Sequence, residues 1–179
     1  AGAVSVVGWL AAGFAVLVLV QRFSELKIAH KNRVSLTQLG AVEYGASHYP
    51  LFFLLHGTWF AGWLTEMGSN PSLHTFWYTW LFLFAAAQAL RYWCIFTLKV
   101  FWNTRIVVLP GAVPISKGPY RYMRHPNYLA VAIELVALPM IFNCWITATA
   151  IAILNGILLL GIRIPAEEKA LRQLKKTVS

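Results

Sequence analysis

The chain has 179 residues, of which 59% are hydrophobic, 15% aromatic and 12% charged, with a net charge of +9. Soluble domains carry about 25% charged residues, so this composition excludes an ordinary water-soluble globule. Its aromatic content excludes a disordered chain. The two cysteines lack the spacing of a disulfide framework or a zinc site. We therefore expect one integral membrane domain, residues 1–179, and no nucleic-acid partner.

Apolar stretches predict five transmembrane helices, because a helix needs roughly 17–25 mostly apolar residues to cross the hydrocarbon core. They are residues 3–20, 48–65, 73–95, 127–142 and 145–162. The last two flank only Asn143 and Cys144, and this spacing predicts a helical hairpin. Its first arm is short and contains Pro139, so the sequence leaves open whether the hairpin crosses the membrane completely.

The basic residues predict the orientation of these spans. All 15 Lys and Arg residues lie in three regions: from Arg22 to the second span, from Arg91 to the fourth span, and after the fifth span. The connections at 66–72 and 143–144 contain none. Because Lys and Arg accumulate on the cytoplasmic side, we expect the N-terminus outside and the C-terminus in the cytoplasm.

Residues 96–126 are rich in Gly, Pro and basic residues, and they predict an ordered cytoplasmic loop rather than a span. The predicted fold is all-α and polytopic. It has three N-terminal spans in residues 1–95, followed in 96–179 by the loop, the hairpin and a C-terminal amphipathic helix. No β-strand is convincing, so a soluble dinucleotide-binding fold is not expected. The sequence also lacks the HExxH, P-loop and GxSxG motifs.

The densest polar segment, KGPYRYMRHPNY at residues 117–128, lies at the entry to the fourth span. Pro126 favours the first helical turn, which places His125 near the cap of a membrane helix whose free N–H groups attract anions. This arrangement suits an anionic or zwitterionic ligand that approaches from the cytoplasm. Alternatively, the arginines anchor lipid headgroups and the tyrosines are interfacial aromatics.

A second polar segment, RIPAEE at residues 163–168, directly follows the fifth span. In a helix, Glu167 would share an apolar face with Ile164 and Leu171. A carboxylate on such a face is costly unless it is paired or bound to a ligand. The alternative is an i,i+4 ion pair with Arg163 on a surface tail.

Other ionisable residues lie in or near the predicted spans: Glu43, His48, His56 and Glu134. An ionisable residue inside the membrane is by default a functional hypothesis. A lone histidine in an aromatic span is more often a packed, hydrogen-bonded residue. The sequence leaves the roles of these four residues open.

GPYRYMRHPNY, the hairpin and RIPAEE together resemble the isoprenylcysteine carboxyl methyltransferase family of integral membrane enzymes, over roughly residues 88–172. The stretch LRYWCIFTLKVFWNTRIVVLPGA is similar to bacterial members, some of which are associated with type III polyketide synthases. The resemblance implies an enzyme of the bacterial inner membrane that uses S-adenosylmethionine (SAM) as methyl donor and no metal.

The resemblance also implies a set of site residues. The cofactor would be bound by Ala112, Val113, Pro114, Ile115, Tyr120, His125, Pro126, Asn127, Tyr128 and Glu167. Arg163 would be catalytic and face the substrate, and Arg105 is a further candidate for the cofactor. Eukaryotic members have a His-x-Leu-Val type segment where this chain has Ala112–Ile115, so a histidine contact is lost there.

We therefore expect an O-methyltransferase acting on a carboxylate, enol or phenol oxygen of a lipophilic acceptor. The acceptor would be a prenylated cysteine or an alkylated pyrone or phenol that enters from the membrane lipids. Positioning against the methyl group can contribute up to about 7–11 kcal/mol. The alternatives are an NADPH-dependent membrane reductase of related architecture, and a non-enzymatic scaffold whose basic loops bind anionic lipids.

Overall fold

The computed structural model describes residues 5–178 and is 77% helical. The helices are α1 (Val6–Gln38), α2 (Tyr49–Ser69), α3 (Trp77–Leu98), α4 (Pro126–Ile141), α5 (Trp145–Leu158) and α6 (Ile164–Val178). Two short strands, β1 (Val42–Tyr44) and β2 (Ile106–Val108), complete the regular structure apart from single helical turns. The prediction of a mainly helical chain is confirmed.

Three helical segments are long and apolar enough to cross a membrane: Val6–Gln38, Trp77–Phe101 and Trp145–Arg172. Helix α4 is apolar but has only 16 residues. Helix α2 is outside this set, and polar residues such as His56 and Glu66 lower its mean hydropathy. The number of five spans therefore stays a prediction.

Helix α1 extends well beyond residue 20, where the first predicted span ends. The Ser5 hydroxyl caps its start by accepting a hydrogen bond from the Gly8 N–H at 3.2 Å. Residues 21–38 contain neither Gly nor Pro, so nothing in the sequence breaks the helix there. It ends before Gly40, which adopts a φ of 90° that favours glycine.

The predicted hairpin is confirmed, since α4 and α5 pack together and are joined by a tight turn at residues 142–144. Asn143 takes a left-handed φ of 57° in that turn. The Glu66 carboxylate of α2 accepts hydrogen bonds from the backbone N–H groups of Ile146 (3.0 Å) and Thr147 (2.9 Å). It therefore caps the N-terminus of α5 and links the hairpin to α2.

Aromatic side chains form much of the core between these helices. Trp59 and Trp63 of α2 are almost completely buried. The Trp63 ring stacks on Phe142, with ring centroids 5.7 Å apart. The Trp59 indole N–H donates to the Leu135 carbonyl at 2.9 Å, which satisfies its polar atom in the core. Helix α3 packs most extensively against α4.

The all-α prediction is wrong in one respect, because β1 and β2 pair as an antiparallel two-stranded sheet with Glu43 opposite Val107. Glu43 also accepts a hydrogen bond from Arg105 at 2.6 Å. Three-residue strands are too short to show an alternating pattern, and their pairing joins distant parts of the chain. The sheet connects the segment before α2 to the loop before α4.

The C-terminal helix was predicted as a separate element after the fifth span. The structure shows instead that it continues from α5. A π-helical turn at Leu159–Arg163 joins α5 to α6 without interruption. Pro165 lies in the first turn of α6 and does not end the helix. A π-turn changes the hydrogen-bond spacing just before the proline, so the missing N–H is tolerated. Arg163 therefore lies inside a continuous helix.

Four charged residues form a buried cluster between α1, α3 and α4, which we call the ionic quartet: Arg22, Glu25, Arg91 and Glu134. Arg22 contacts Glu134 at 2.5 Å and Glu25 at 3.0 Å. Arg91 donates twice to Glu25, at 2.5 Å each. Arg22 and Arg91 were predicted to lie on the cytoplasmic side, which stays a prediction, and the structure adds that their guanidinium groups pair with these glutamates.

Candidate functional site

The two polar segments of the sequence meet at the Tyr128 hydroxyl. Tyr128, in the first turn of α4, donates a hydrogen bond to the Glu167 carboxylate of α6. The same hydroxyl accepts a hydrogen bond from Arg163 Nε at 3.0 Å. We call His125, Tyr128, Arg163 and Glu167 the Tyr128 cluster. One hydroxyl thus fixes the start of α4 against the start of α6.

Arg163 is buried, with 6% of its surface exposed, and is held in place by two different elements. Its Nη2 donates to the Thr104 carbonyl at 2.7 Å, in addition to the bond from Nε to Tyr128. Its Cζ lies 5.6 Å from the centroid of the Phe52 ring. The alternative of a surface ion pair with Glu167 is therefore wrong, because Tyr128 stands between the two groups.

His125 completes the cluster at the N-cap of α4. Its ring stacks on that of Tyr128, with centroids 5.4 Å apart, and its Nδ1 lies 3.9 Å from the Glu167 carboxylate. Within the described residues, His125 Nε2 and Asn127 Oδ1 are buried without a hydrogen-bond partner. A buried polar atom without a partner costs about 1–3 kcal/mol, so both atoms are places where a ligand can bind.

Tyr120 lies beside the cluster, in a loop that packs on α3. Burial is the main cause that raises the pKa of Tyr120, and the neighbouring Cys94 and Glu167 add to it. The phenol therefore stays protonated. Gly118 holds the loop with a φ of 56°, and a Cβ there would lie 2.4 Å from Thr97 Oγ1. Only glycine fits this close approach.

The other residues predicted to bind the cofactor make fewer contacts with the Tyr128 cluster. Pro126 is buried at the first position of α4. Ala112, Val113, Pro114 and Ile115 are exposed or half-buried, and Val113 is 87% exposed. Within the described residues, these four form no side-chain hydrogen bond with the Tyr128 cluster. Arg105 pairs with Glu43 and lies 4.1 Å above the Tyr49 ring, so it is not part of the cluster either.

Two cavities adjoin the Tyr128 cluster. The α4–α5 cavity, of about 340 Å³, lies between these helices and includes His125 in its wall. The central cavity, of about 370 Å³, lies among α1, α2, α4 and α5 and includes Arg163 and Asn127. Tyr128, Asn155 and Leu159 line both cavities. They form a shared wall between the two spaces.

The sequence did not assign several residues of these walls to a site. Arg22, Tyr49, Phe52 and His56 line the central cavity, and the Thr104 carbonyl orients Arg163. An intramembrane histidine gave a signal for His56. No signal identifies Thr104, because every residue supplies a carbonyl.

Comparisons with known proteins give the family of the chain. The family model described as "Isoprenylcysteine carboxyl methyltransferase (ICMT) family" matches residues 77–173. "Uncharacterized protein YpbQ" of Bacillus subtilis (strain 168) is 36% identical over 160 residues, which cover 88% of this chain and 94% of that protein. An "Uncharacterized protein" of Haemophilus influenzae is 29% identical over 159 residues, covering 88% and 92%. No solved structure gives a significant match.

Proposed function

Because this chain belongs to the isoprenylcysteine carboxyl methyltransferase family, we propose that it is a membrane O-methyltransferase that uses SAM and a lipophilic acceptor. The family is a methyltransferase family, and the apolar helices make the chain an integral membrane protein. The link that Tyr128 makes between Arg163 and Glu167 is the observation that supports the proposal most strongly.

The chemistry of the Tyr128 cluster fits the donor. SAM carries an ammonium, a carboxylate, a ribose and an adenine, and it supplies an electrophilic methyl group when bound. Glu167 can bind a cation or a polar edge, while His125 Nε2 and Asn127 Oδ1 are buried polar atoms without a partner in the described chain. Pro126 has no N–H, and the Tyr128 N–H already donates to the His125 carbonyl at 3.2 Å. The Asn127 N–H is therefore the donor that the start of α4 offers to an anion.

The central cavity fits the acceptor. Arg163 uses Nε and Nη2 in hydrogen bonds with the protein, and Nη1 has no such partner among the described residues. This nitrogen can orient an oxygen nucleophile. Phe52, Phe53 and Phe60 give the cavity an apolar wall suited to an alkyl or prenyl tail. An oxygen that is already ionised at neutral pH needs no strong general base.

Asn127 and Arg163 both line the central cavity beside Tyr128, which supports placing the reacting ends of the donor and the acceptor in contact there. Methyl transfer is a displacement at carbon, in which the acceptor oxygen forms a bond as the sulfur–methyl bond breaks. Holding the two reactants in line is the main contribution the protein has to make. Five spans, with the N-terminus outside and the C-terminus in the cytoplasm, would open the donor side to cytoplasmic SAM.

Transfer of labelled methyl groups tests this proposal. Purified protein in detergent is incubated with labelled SAM and either a prenylated cysteine or an alkylated phenol or pyrone. We expect label in at least one acceptor, and we favour the phenol or pyrone because the loop is similar to bacterial members. Binding of SAM without transfer to any of these acceptors would contradict the proposal.

A further inference from the structure

The central cavity contains a second polar region that methyl transfer does not use. Arg22 of α1 and His56 of α2 both line it, at the level of the ionic quartet. Charged and polar side chains are costly inside a membrane bundle and often mark the path of a ligand. Glu25 and Arg91 of the quartet line the same cavity and pair with each other. The aromatic members of its wall include Phe53, Trp59 and Phe60.

The His56 ring has a fixed hydrogen-bonding direction. Its Nδ1 lies 2.8 Å from the Phe52 carbonyl, which can only accept a hydrogen bond. Nδ1 must therefore carry a proton and donate. In the neutral ring, Nε2 is then left as an acceptor, so it requires a partner with an O–H or N–H group.

Arg22 supplies the complementary donor. Its Nη1 donates to Glu25 at 3.0 Å and its Nη2 to Glu134 at 2.5 Å, so the guanidinium is held rigidly by two carboxylates. Only two of its five N–H groups are used in these bonds. The two arginines and two glutamates of the ionic quartet already balance in charge, so this region favours a neutral group over an anion.

The second region lies about one helical turn from the reacting end of the cavity. Phe52 and His56 are four residues apart on α2, which corresponds to about 6 Å along the helix axis. Arg163 packs 5.6 Å from the Phe52 ring, one turn before His56.

We propose that Arg22 and His56 form a second acceptor subsite that binds a neutral hydroxyl group. The hydroxyl donates to His56 Nε2 and accepts from the Arg22 guanidinium. The acceptor therefore carries two oxygens, one that receives the methyl group beside Arg163 and one that is recognised by this subsite. This inference rests on the proposed function for the identity of the reacting end.

A matched pair of acceptors tests the subsite. One is a long-chain meta-alkylphenol, and the other has an additional ring hydroxyl meta to the first. Binding is measured by quenching of tryptophan fluorescence, because Trp59 lines the cavity. One neutral hydrogen bond corresponds to about 2–10-fold in affinity, so we expect the wild type to prefer the dihydroxy compound by that factor. His56→Phe should abolish the preference.

The control is His30→Phe, the same change at an exposed histidine of α1 outside the cavity wall, which should keep the preference. Arg22→Lys is the second variant if His56→Phe does not fold, and it should also lose the preference. An equal preference in wild type and His56→Phe would overturn the subsite. Loss of the preference in His56→Phe without methylation of either compound would support the subsite and contradict the proposed function.

Discussion

The ionic quartet and the Tyr128 cluster are both largely buried groups of charged residues that join distant helices, but they differ in how their charges are paired. Each carboxylate oxygen of the quartet lies within 4 Å of a guanidinium nitrogen, at distances from 2.5 to 3.6 Å. In the Tyr128 cluster, Arg163 has no carboxylate oxygen within 4 Å among the described residues, and its hydrogen bonds go to the Tyr128 hydroxyl and the Thr104 carbonyl. Both groups contain buried polar atoms without a hydrogen-bond partner, so the difference lies in the charges.

This difference separates charges that neutralise one another from a charge that is free to bind an anionic oxygen. The two arginines and two glutamates of the quartet balance, so a further ion gains nothing there, although Arg22 keeps N–H groups for a neutral partner. Arg163 has no countercharge within 4 Å among the described residues, so it can pair with an acceptor oxygen. Removing a charge from the quartet should therefore mainly change stability, and mutations in the Tyr128 cluster should mainly change catalysis.

The largest effect is expected for Glu134→Ala in the quartet. Glu134 is fully buried, and its loss leaves Arg22 and Arg91 without a full set of countercharges. Removing one partner of a buried ion pair costs about 3–5 kcal/mol of stability, so the melting temperature in detergent should fall strongly. Glu168→Ala on α6 is the control and should change stability by less than about 0.5 kcal/mol. Equal melting temperatures for the two variants would contradict a stabilising role of the quartet.

Arg163→Lys should lower kcat by about 100-fold without a comparable loss of stability. Lysine keeps the charge but cannot bond the Tyr128 hydroxyl and the Thr104 carbonyl together with an acceptor oxygen. Steady-state kinetics with labelled SAM measure this effect. Arg172→Lys makes the same change at an exposed position of α6 and should leave kcat near the wild-type value. A kcat close to wild type for Arg163→Lys would exclude a catalytic role.

Glu167→Gln should reduce turnover at limiting SAM by about 10–100-fold, since a hydrogen bond to a charged group contributes about 1.5–3 kcal/mol. The amide can still accept a hydrogen bond from Tyr128, so the melting temperature should change little. Glu168→Gln is the neighbouring comparison. Glu168 lies 3.9 Å from His125 Nε2 and close to the exposed Arg124 and Arg172. It makes no hydrogen bond with Tyr128, so the loss of turnover should be smaller. A similar loss in both variants would point to general charge effects at the membrane surface.

The smallest effect is expected for Gly118→Ala, which tests whether the Tyr120 loop must pack against α3. Both Gly118 and Gly111 have a positive φ, but only a Cβ at Gly118 meets another side chain. An unfavourable backbone conformation costs about 1–3 kcal/mol. In thermal unfolding, the loss of stability should lie at the upper end of this range for Gly118→Ala and at the lower end for Gly111→Ala. The reverse order would contradict this packing.

The hairpin was predictable because two apolar runs separated by a short polar turn are a local signal. The roles proposed for segments 117–128 and 163–168 come from local composition and from the family resemblance, and they stay predictions. Their contact through Tyr128 required the hairpin to bring both ends to one side. The sequence therefore predicted that the two segments meet, but not that the Tyr128 hydroxyl is the point of contact.

Other features have no local signal. Arg22 and Glu134 pair across 112 positions. The sequence showed Glu134 as a lone charge in its span and Arg22 as one of several basic residues after the first span. The pairing of β1 and β2 depends on the path of the loop rather than on an alternating pattern. The π-turn at Leu159–Arg163 occurs in an apolar run that is indistinguishable from an ordinary helix. In each case long-range packing determined the outcome.

Calorimetric titration in detergent tests the central claim, that the start of α4 and the start of α6 bind SAM together. We predict that SAM binds to the wild type, that NADPH does not, and that His125→Ala and Glu167→Gln each weaken SAM binding. Because both residues contact one ligand, their effects should not be additive in the double variant. Binding of NADPH in place of SAM, or SAM affinity unchanged by both substitutions, would contradict the account.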